Sequence, residues 1–270
     1  MLPHADLLKG CRHPGEIEVL LALAERVLRT WEPHWSDFLA AEVREEAERV
    51  LGSLSELRLG SDGGHPGAER RRLRIERAEA ADAPMAAAAA AEAPESEARL
   101  AGLEIAGNFL FDPAEADDIR QALLAAGAEG GELGDVWIRG DRGAQAIIST
   151  PLAGRLNGRE GLVRTVPVHF EARPIAELQL PALRTPRRLS SVEASRRLDA
   201  VASAGFGLSR SRMAALIRQG AVRIDWQPVS SPSRELAVGE RVQLQGRGEL
   251  EILAIEPTKR ERLRIAMERR

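Results

Sequence analysis

Disulfides, tyrosine and long apolar runs are missing from this chain. Its 270 residues include one cysteine, Cys11. No intrachain disulfide framework can form, which favours a reducing compartment. There is no tyrosine and aromatics total 3%, so a broad base-stacking surface is not expected. The N-terminus, MLPHADLLKGCRHPG, lacks a basic region leading into a long apolar core, and no apolar run reaches membrane-spanning length. Neither a signal peptide nor membrane insertion is predicted, and the expectation is a cytoplasmic protein. Catalytic signatures are absent too: no Gly-x-Ser-x-Gly elbow, no His-Glu-x-x-His, no dinucleotide glycine pattern and no nucleotide P-loop. His4, His34, His65 and His169 stand singly, and His13 beside Cys11 makes two potential ligands with no second pair at zinc spacing. The sequence therefore predicts no enzyme, no metal and no cofactor.

Hydrophobic residues make up 44% of the chain and charged residues 29%, with a formal net charge of -3. That small value conceals an asymmetry. From residue 181 onward 18 Lys+Arg face 10 Asp+Glu, a net +8, whereas the first 180 residues carry a net -11. A basic end on an acidic body points to a polyanion-binding end.

The pattern predicts an α+β protein with an N-terminal domain over 1–77, a low-complexity linker over 78–99 bracketing an alanine run, a middle α+β domain over 100–180, a helix–turn–helix and strand unit over 187–252, and a basic strand extension over 253–270. Ile17, Leu20, Leu21, Ala24 and Leu28 follow helical spacing, and a second helix is predicted from Asp37 or Ala40 to Leu51. Arg70, Arg71, Arg72 and Arg74 follow a glycine-rich turn and read as a solvated face. Asp112 before Pro113, with Glu115 three residues on, predicts a helix start. Phe109, Phe111, Trp137 and Phe170 are read as core aromatics.

The most distinctive stretch is Ser190–Trp226. Ser190 with Glu193 reads as a capping box opening a helix whose apolar stripe is Ala194, Leu198 and Val201. Gly205-Phe-Gly207 ends it, Ser209 caps a second helix, Gly220 ends that, and a strand follows at 222–226. Asp199 is expected to pair with Arg196. A helix N-terminus attracts phosphate, serine hydroxyls donate to it, and arginine binds it bidentately. The candidate RNA-binding residues are Arg187, Arg188, Arg196, Arg197, Ser209, Arg210, Ser211, Arg212, Arg218 and Arg223.

Arg-Arg-Leu-Asp199, Leu-Ser-Arg-Ser-Arg212, Leu216-Ile217, Gly220-x-Val222-x-Ile224 and Val238-Gly-Glu240 resemble the S4 RNA-binding domain. The chain departs from the pattern at Ile224-Asp225-Trp226, where many members have Val-Asn-Gly. Across most of its length it resembles YlmH-type proteins, most closely their cyanobacterial relatives called photosystem II S4 domain proteins. The stretches are Ser36–Leu39, Gly63–Arg71, Ile105–Pro113, Gly134–Val136, Arg142–Ile147 and Ala202–Gly207. The resemblance implies an N-terminal α/β domain, an RRM-like middle domain and a C-terminal S4 domain with a small β-sheet. It also implies partners: structured RNA (ribosomal RNA, tRNA) on the large ribosomal subunit, in translation quality control, with some link to photosystem II. Two other readings stand beside it. One is an RNA-modifying enzyme, since pseudouridine synthases share an Arg-Leu-Asp motif; the other is a photosystem II assembly scaffold working through protein contacts.

Overall fold

The computed structural model describes residues 2–78, 99–182, 185–244, 247–259 and 261–270. The predicted linker falls outside the described residues except at its two ends, as do Arg184 of the basic lead-in and Gly246 of a predicted turn. The chain forms two compact units, Met1–Ala182 and Leu183–Arg270, and the fold is α+β throughout. No described helix is long and apolar enough to cross a membrane.

The first unit begins with a short helix α1 (His4–Leu7) and the amphipathic α2 (Pro14–Thr30). Proline opens α2, where its missing N–H is harmless. Ile17, Leu20, Leu21, Ala24 and Val27 bury one face at helical spacing. The carboxylate of Glu46, itself buried in α3 (Ala41–Leu51), accepts the N–H groups of Arg12 and His13 at 2.8–3.0 Å and so anchors the segment leading into α2. Trp31 ends α2 in the left-handed region, and the Arg77 guanidinium lies 3.6 Å over its ring. The helices cover an antiparallel sheet of order β1-β3-β2, formed by β1 (His34–Leu39), β2 (Leu57–Asp62) and β3 (Arg71–Arg77). Asp37 thus belongs to a strand, and α3 starts only at Ala41.

The same unit continues with β4 (Leu100–Ala106), α4 (Ala116–Ala125), β5 (Leu133–Ile138), β6 (Gly143–Ser149), α5 (Thr150–Leu156) and the hairpin β7 (Glu160–Val163) and β8 (Val166–Arg173). Its antiparallel order is β5-β6-β4-β8-β7, a βαββαβ layout of the RRM type with an extra hairpin strand. One face, with Leu103, Ile105, Ala144, Ala146 and Ile148, packs on α4 and α5. The other face is covered as well: Ile147 and Leu100 join Phe38 of β1 and Leu178 in a second buried cluster. Consequently every residue of β6 is buried, as expected of a strand with both faces packed. Gly143 opens β6 at φ +130°, and a Cβ there would collide with the Ile105 carbonyl of the neighbouring strand, so glycine is required at this position.

Three expectations are corrected here. Asp112 does not cap a helix; α4 starts at Ala116 with a Glu115–Asp118 capping box. Asp112 instead accepts from Thr165 Oγ1 at 2.6 Å and pairs with Arg164 at 3.1 Å, pinning the β7–β8 turn. Phe109 and Phe170 are core residues, but Phe111 is 92% exposed. The arginines after the glycine-rich turn are not a solvated face. Arg70 donates to the carbonyls of Leu133 (2.8 Å), Phe38 (3.2 Å) and Gly130 (3.3 Å). Arg71 donates to Ala68 and Pro66, and Arg72 to Ser36. Of these, Arg70 alone crosses a seam between the two sheets of this unit, to Leu133 and Gly130; Arg71 ties its own loop, and Arg72 ties β3 to its neighbour β1. Asp135 holds the other half of the seam: it accepts the N–H groups of Glu69 (2.8 Å) and Arg70 (2.9 Å), with His65 Nε2 at 3.3 Å. Burial pushes the Asp135 carboxyl up, but His65 and the two backbone donors outweigh it and hold it below the usual aspartate range.

The second unit is a six-stranded antiparallel sheet of order β11-β10-β12-β13-β14-β9 with helices α6 (Leu198–Phe206) and α7 (Arg210–Arg218). Its strands are β9 (Arg187–Glu193), β10 (Val222–Ile224), β11 (Gln227–Pro228), β12 (Arg241–Leu244), β13 (Gly248–Pro257) and β14 (Leu263–Arg269). Leu198, Val201, Phe206, Met213, Ile217, Val242, Leu250 and Met267 share one core. The predicted capping box at Ser190–Glu193 is overturned. That stretch is β9, paired in seven-residue register with β14, and the helix starts at Leu198.

Candidate nucleic-acid interface

Helix α6 ends at Gly207, in the left-handed region at φ +67°, and the chain turns at once into α7. Ser209 is extended and its Oγ accepts the Arg212 N–H at 3.3 Å, the N-cap that the sequence predicts. Ser211 Oγ lies 3.2 Å from Ser209 Oγ, and both side chains are exposed. The start of α6 is fixed from elsewhere. The N–H groups of Leu198 and Asp199 donate to the carbonyls of Arg234 and Pro232, which satisfies donors that a helix start leaves orphaned. That loop is closed by Glu240, which takes Arg234 in a bidentate pair at 2.6 and 2.7 Å and the Ala237 N–H at 2.8 Å. The Val238-Gly-Glu240 turn is therefore a latch holding the start of α6.

Asp199 joins the two helix starts. It is 5% exposed, and its carboxylate receives two arginines edge-on. Arg197 donates Nε to Oδ1 and a terminal nitrogen to Oδ2, each at 3.1 Å. Arg210 donates in the opposite sense, at 3.1 and 3.2 Å. Burial raises the Asp199 carboxyl, but these hydrogen bonds prevail and keep it below the ordinary aspartate range; the same pairing raises Arg197. The expected Asp199–Arg196 pair does not form. Arg196 lies ahead of the helix and pairs with Glu235 at 2.6 Å on the surface.

Of the ten candidate residues, Arg197, Ser209, Arg210, Ser211 and Arg212 come together at the starts of α6 and α7. Arg212 and Arg218 are exposed, and neither has a carboxylate partner among the described residues. Arg218 sits in the last turn of α7, about 12 Å along the helix from Arg210. Arg187 and Arg188 lie on β9, the edge strand, with Arg188 3.6 Å from Glu268. Arg223 lies on β10, near the opposite edge of the sheet. With four strand spacings between them, roughly 19 Å, Arg223 and the β9 arginines do not share one contact. Sequence reasoning named Glu240 within the family motif without its role, and missed Glu235 and the true partners of Asp199. The spacing of Asp199 from Arg210, eleven residues across a turn, carries no helical or strand periodicity that would reveal the pair.

At Ile224-Asp225-Trp226 the chain makes a tight turn, with positive φ at both Asp225 and Trp226 (44° and 66°). Asn-Gly is the usual solution for such a hairpin turn. Asp225 fills the place by accepting the Arg241 N–H at 3.2 Å. The predicted strand over 222–226 is thus β10 and a turn.

Comparison with known proteins fits this layout. Residues 13–80 match the family described as YlmH, N-terminal, and residues 196–242 match the S4 domain. A curated relative, the ribosome-associated protein quality control protein P2 of Bacillus subtilis (strain 168), is 25% identical over 235 residues, which cover 87% of this chain and 86% of the relative. Among solved structures, the cell division protein ylmH from Streptococcus pneumoniae matches with a TM-score of 0.46 at 18% identity, over 62% of this chain and 94% of that one. The chain carries a YlmH-type N-terminal region and, around the two helix starts described above, an S4 domain.

Proposed function

We propose that this protein binds structured ribosomal RNA without catalysing a reaction, acting on the large ribosomal subunit in translation quality control in the cytoplasm. The observation that carries the reading is the convergence of Arg197, Ser209, Arg210, Ser211 and Arg212 on one exposed end of the α6–α7 pair. This is a set of phosphate-binding groups with no aromatic platform and no base-reading residue among them. The S4 match over 196–242 and the name of the Bacillus subtilis relative support it. The RRM-like sheet contributes differently: its face opposite α4 and α5 is filled by Phe38 and Leu178, so RNA is not bound there. The pseudouridine synthase alternative loses its motif, because Asp199 is buried under two arginines rather than open to a substrate. The photosystem II link rests on sequence resemblance alone.

The test is co-sedimentation with ribosomal subunits. Arg212→Glu with Arg218→Glu is the variant of choice, since both side chains are exposed and neither has a carboxylate partner among the described residues, so the fold is expected to survive. It is expected to leave the ribosomal fractions at moderate salt, while a wild-type thermal melt is retained. Undiminished co-sedimentation of the folded variant sinks the reading.

A further inference from the structure

We infer that Arg197 and Arg210 form one preassembled site for a single RNA backbone phosphate, with Asp199 as its positioning residue. This rests on the RNA-binding reading above and deepens it. Each guanidinium has five N–H donors and directs two of them at Asp199, from the Nε side. The remaining edge of each group is unused among the described residues, and both side chains stay substantially exposed, at 39% and 55%, while the Asp199 side chain is 7% exposed. The carboxylate thus faces inward and the two guanidinium groups face outward. The triad keeps a net charge of +1, and its donors are planar and fixed, the geometry that suits a phosphate oxygen pair.

An arginine on a free surface must surrender rotamer freedom when it grips a ligand. Here Asp199 has already ordered both side chains, so that loss falls on folding rather than on binding. Arg196 offers a contrast. Its partner Glu235 is itself exposed, so the pair is an ordinary surface ion pair. Ser209 and Ser211 flank Arg210 in the chain, and their exposed hydroxyls lie 3.2 Å from each other.

The inference makes a prediction opposite in sign to simple electrostatics. Asp199→Asn removes a negative charge from a polyanion-binding surface, and on charge alone it tightens RNA binding. If Asp199 positions the arginines, the substitution weakens it, about tenfold. The salt dependence of the affinity also becomes shallower by about 0.7–0.9, the slope of one lost phosphate contact. The probe is deproteinised ribosomal RNA, titrated by filter binding between about 50 and 200 mM KCl. Arg197→Lys with Arg210→Lys retains both charges and keeps Asp199 partnered, but cannot form the bidentate fork. It is expected to lose the same affinity, and adding Asp199→Asn to it changes little more, the non-additivity of residues acting as one unit. Should Asp199→Asn fail to fold, the lysine pair decides alone. Binding as tight as wild type, with an unchanged salt slope, in whichever variant folds overturns the clamp. In that case a loss confined to Arg212 and Arg218 variants leaves the RNA-binding reading standing. A wild-type protein that retains no ribosomal RNA overturns that reading itself.

Discussion

Two arginine clusters, Arg70–Arg74 after a glycine-rich turn and Arg210–Arg212 after another, look alike in the sequence and behave differently in the fold. Arg70, Arg71 and Arg72 are half-buried and spend their donors on main-chain carbonyls. Burial lowers all three below the usual arginine range. Arg197 and Arg210 meet a buried carboxylate and keep an open edge, and Arg212 has no carboxylate partner among the described residues. The difference lies in the acceptor. A carbonyl acceptor buries the guanidinium as structural glue, whereas a carboxylate from beneath neutralises part of the charge and leaves the rest facing solvent.

The comparison breaks most visibly at Arg70. Arg70→Ala leaves three carbonyls without their donor and removes a packed side chain from the seam. The expected loss is about 3 kcal/mol, a fall of roughly 6–12 °C in the melting temperature of a unit this size. Ribosomal RNA affinity should be unchanged in protein folded well below that temperature. A tenfold weaker affinity at full folding would mean that the seam arginine also touches RNA.

Asp135 tests the same seam through pH. Its carboxyl is held below the usual value, 3.8 for a free aspartate, so its contribution is full above that value and is lost as pH falls through the folded-state value. Asp135→Asn should reduce stability near neutral pH by about 2 kcal/mol. The gap between wild type and variant, measured by urea melts at stepped pH, should close in the acid range below about pH 4. A gap that is constant with pH would show that the charge of Asp135 is not what the backbone donors recognise.

How legible this was depends on sequence distance. In the α6–α7 region the signals are local, and the structure keeps the glycine stop, the serine cap and Leu198 and Val201 of the apolar stripe, whereas Ala194 is exposed ahead of the helix. The Asp199 pairs and the seam are nonlocal. Arg70 reaches carbonyls at Phe38, Gly130 and Leu133, and a run of charges says nothing about acceptors so far along the chain. Ser190 and Glu193 mimicked a capping box because the pattern is short. Pairing with β14, seventy or more residues away, overrode it. Asp112-Pro113 failed similarly, since Thr165 and Arg164 compete for the aspartate. Some of the stretches that resemble YlmH-type proteins outside the S4 region meet at this seam, through Phe38, Arg70, Asp135 and Ile147, whereas Ile105 and Phe109 belong to the core against α4 and α5. The seam residues among them pack between two sheets, which no local periodicity encodes.

Within the second unit the comparison sharpens to cluster against outlier. Arg212→Gln is expected to weaken ribosomal RNA binding by about fivefold and to flatten the salt slope by about 0.7–0.9. Arg187→Gln, on the edge strand away from the helix starts, should change affinity less than about twofold. Neither should alter the melting temperature measurably, as surface substitutions seldom exceed about 0.5 kcal/mol. Equal effects at the two sites would spread the RNA footprint over the sheet edge and dissolve the distinction between them.

The smallest effect separates scaffold from contact at a single residue. Ser209 caps α7 and also flanks Arg210 of the proposed phosphate site, so Ser209→Ala removes both roles, whereas Ser209→Asp keeps the cap and adds a negative charge. Alanine should cost about 1 kcal/mol of stability with only a slight loss of RNA affinity. Aspartate should hold stability, because an acidic N-cap also suits the helix dipole, yet weaken binding more than alanine does. Thermal melts and RNA titrations on the two variants give opposite rankings if the serine sits at the edge of a phosphate site. They give the same ranking if its only task is to start the helix, because then the better-capped variant is also the better binder.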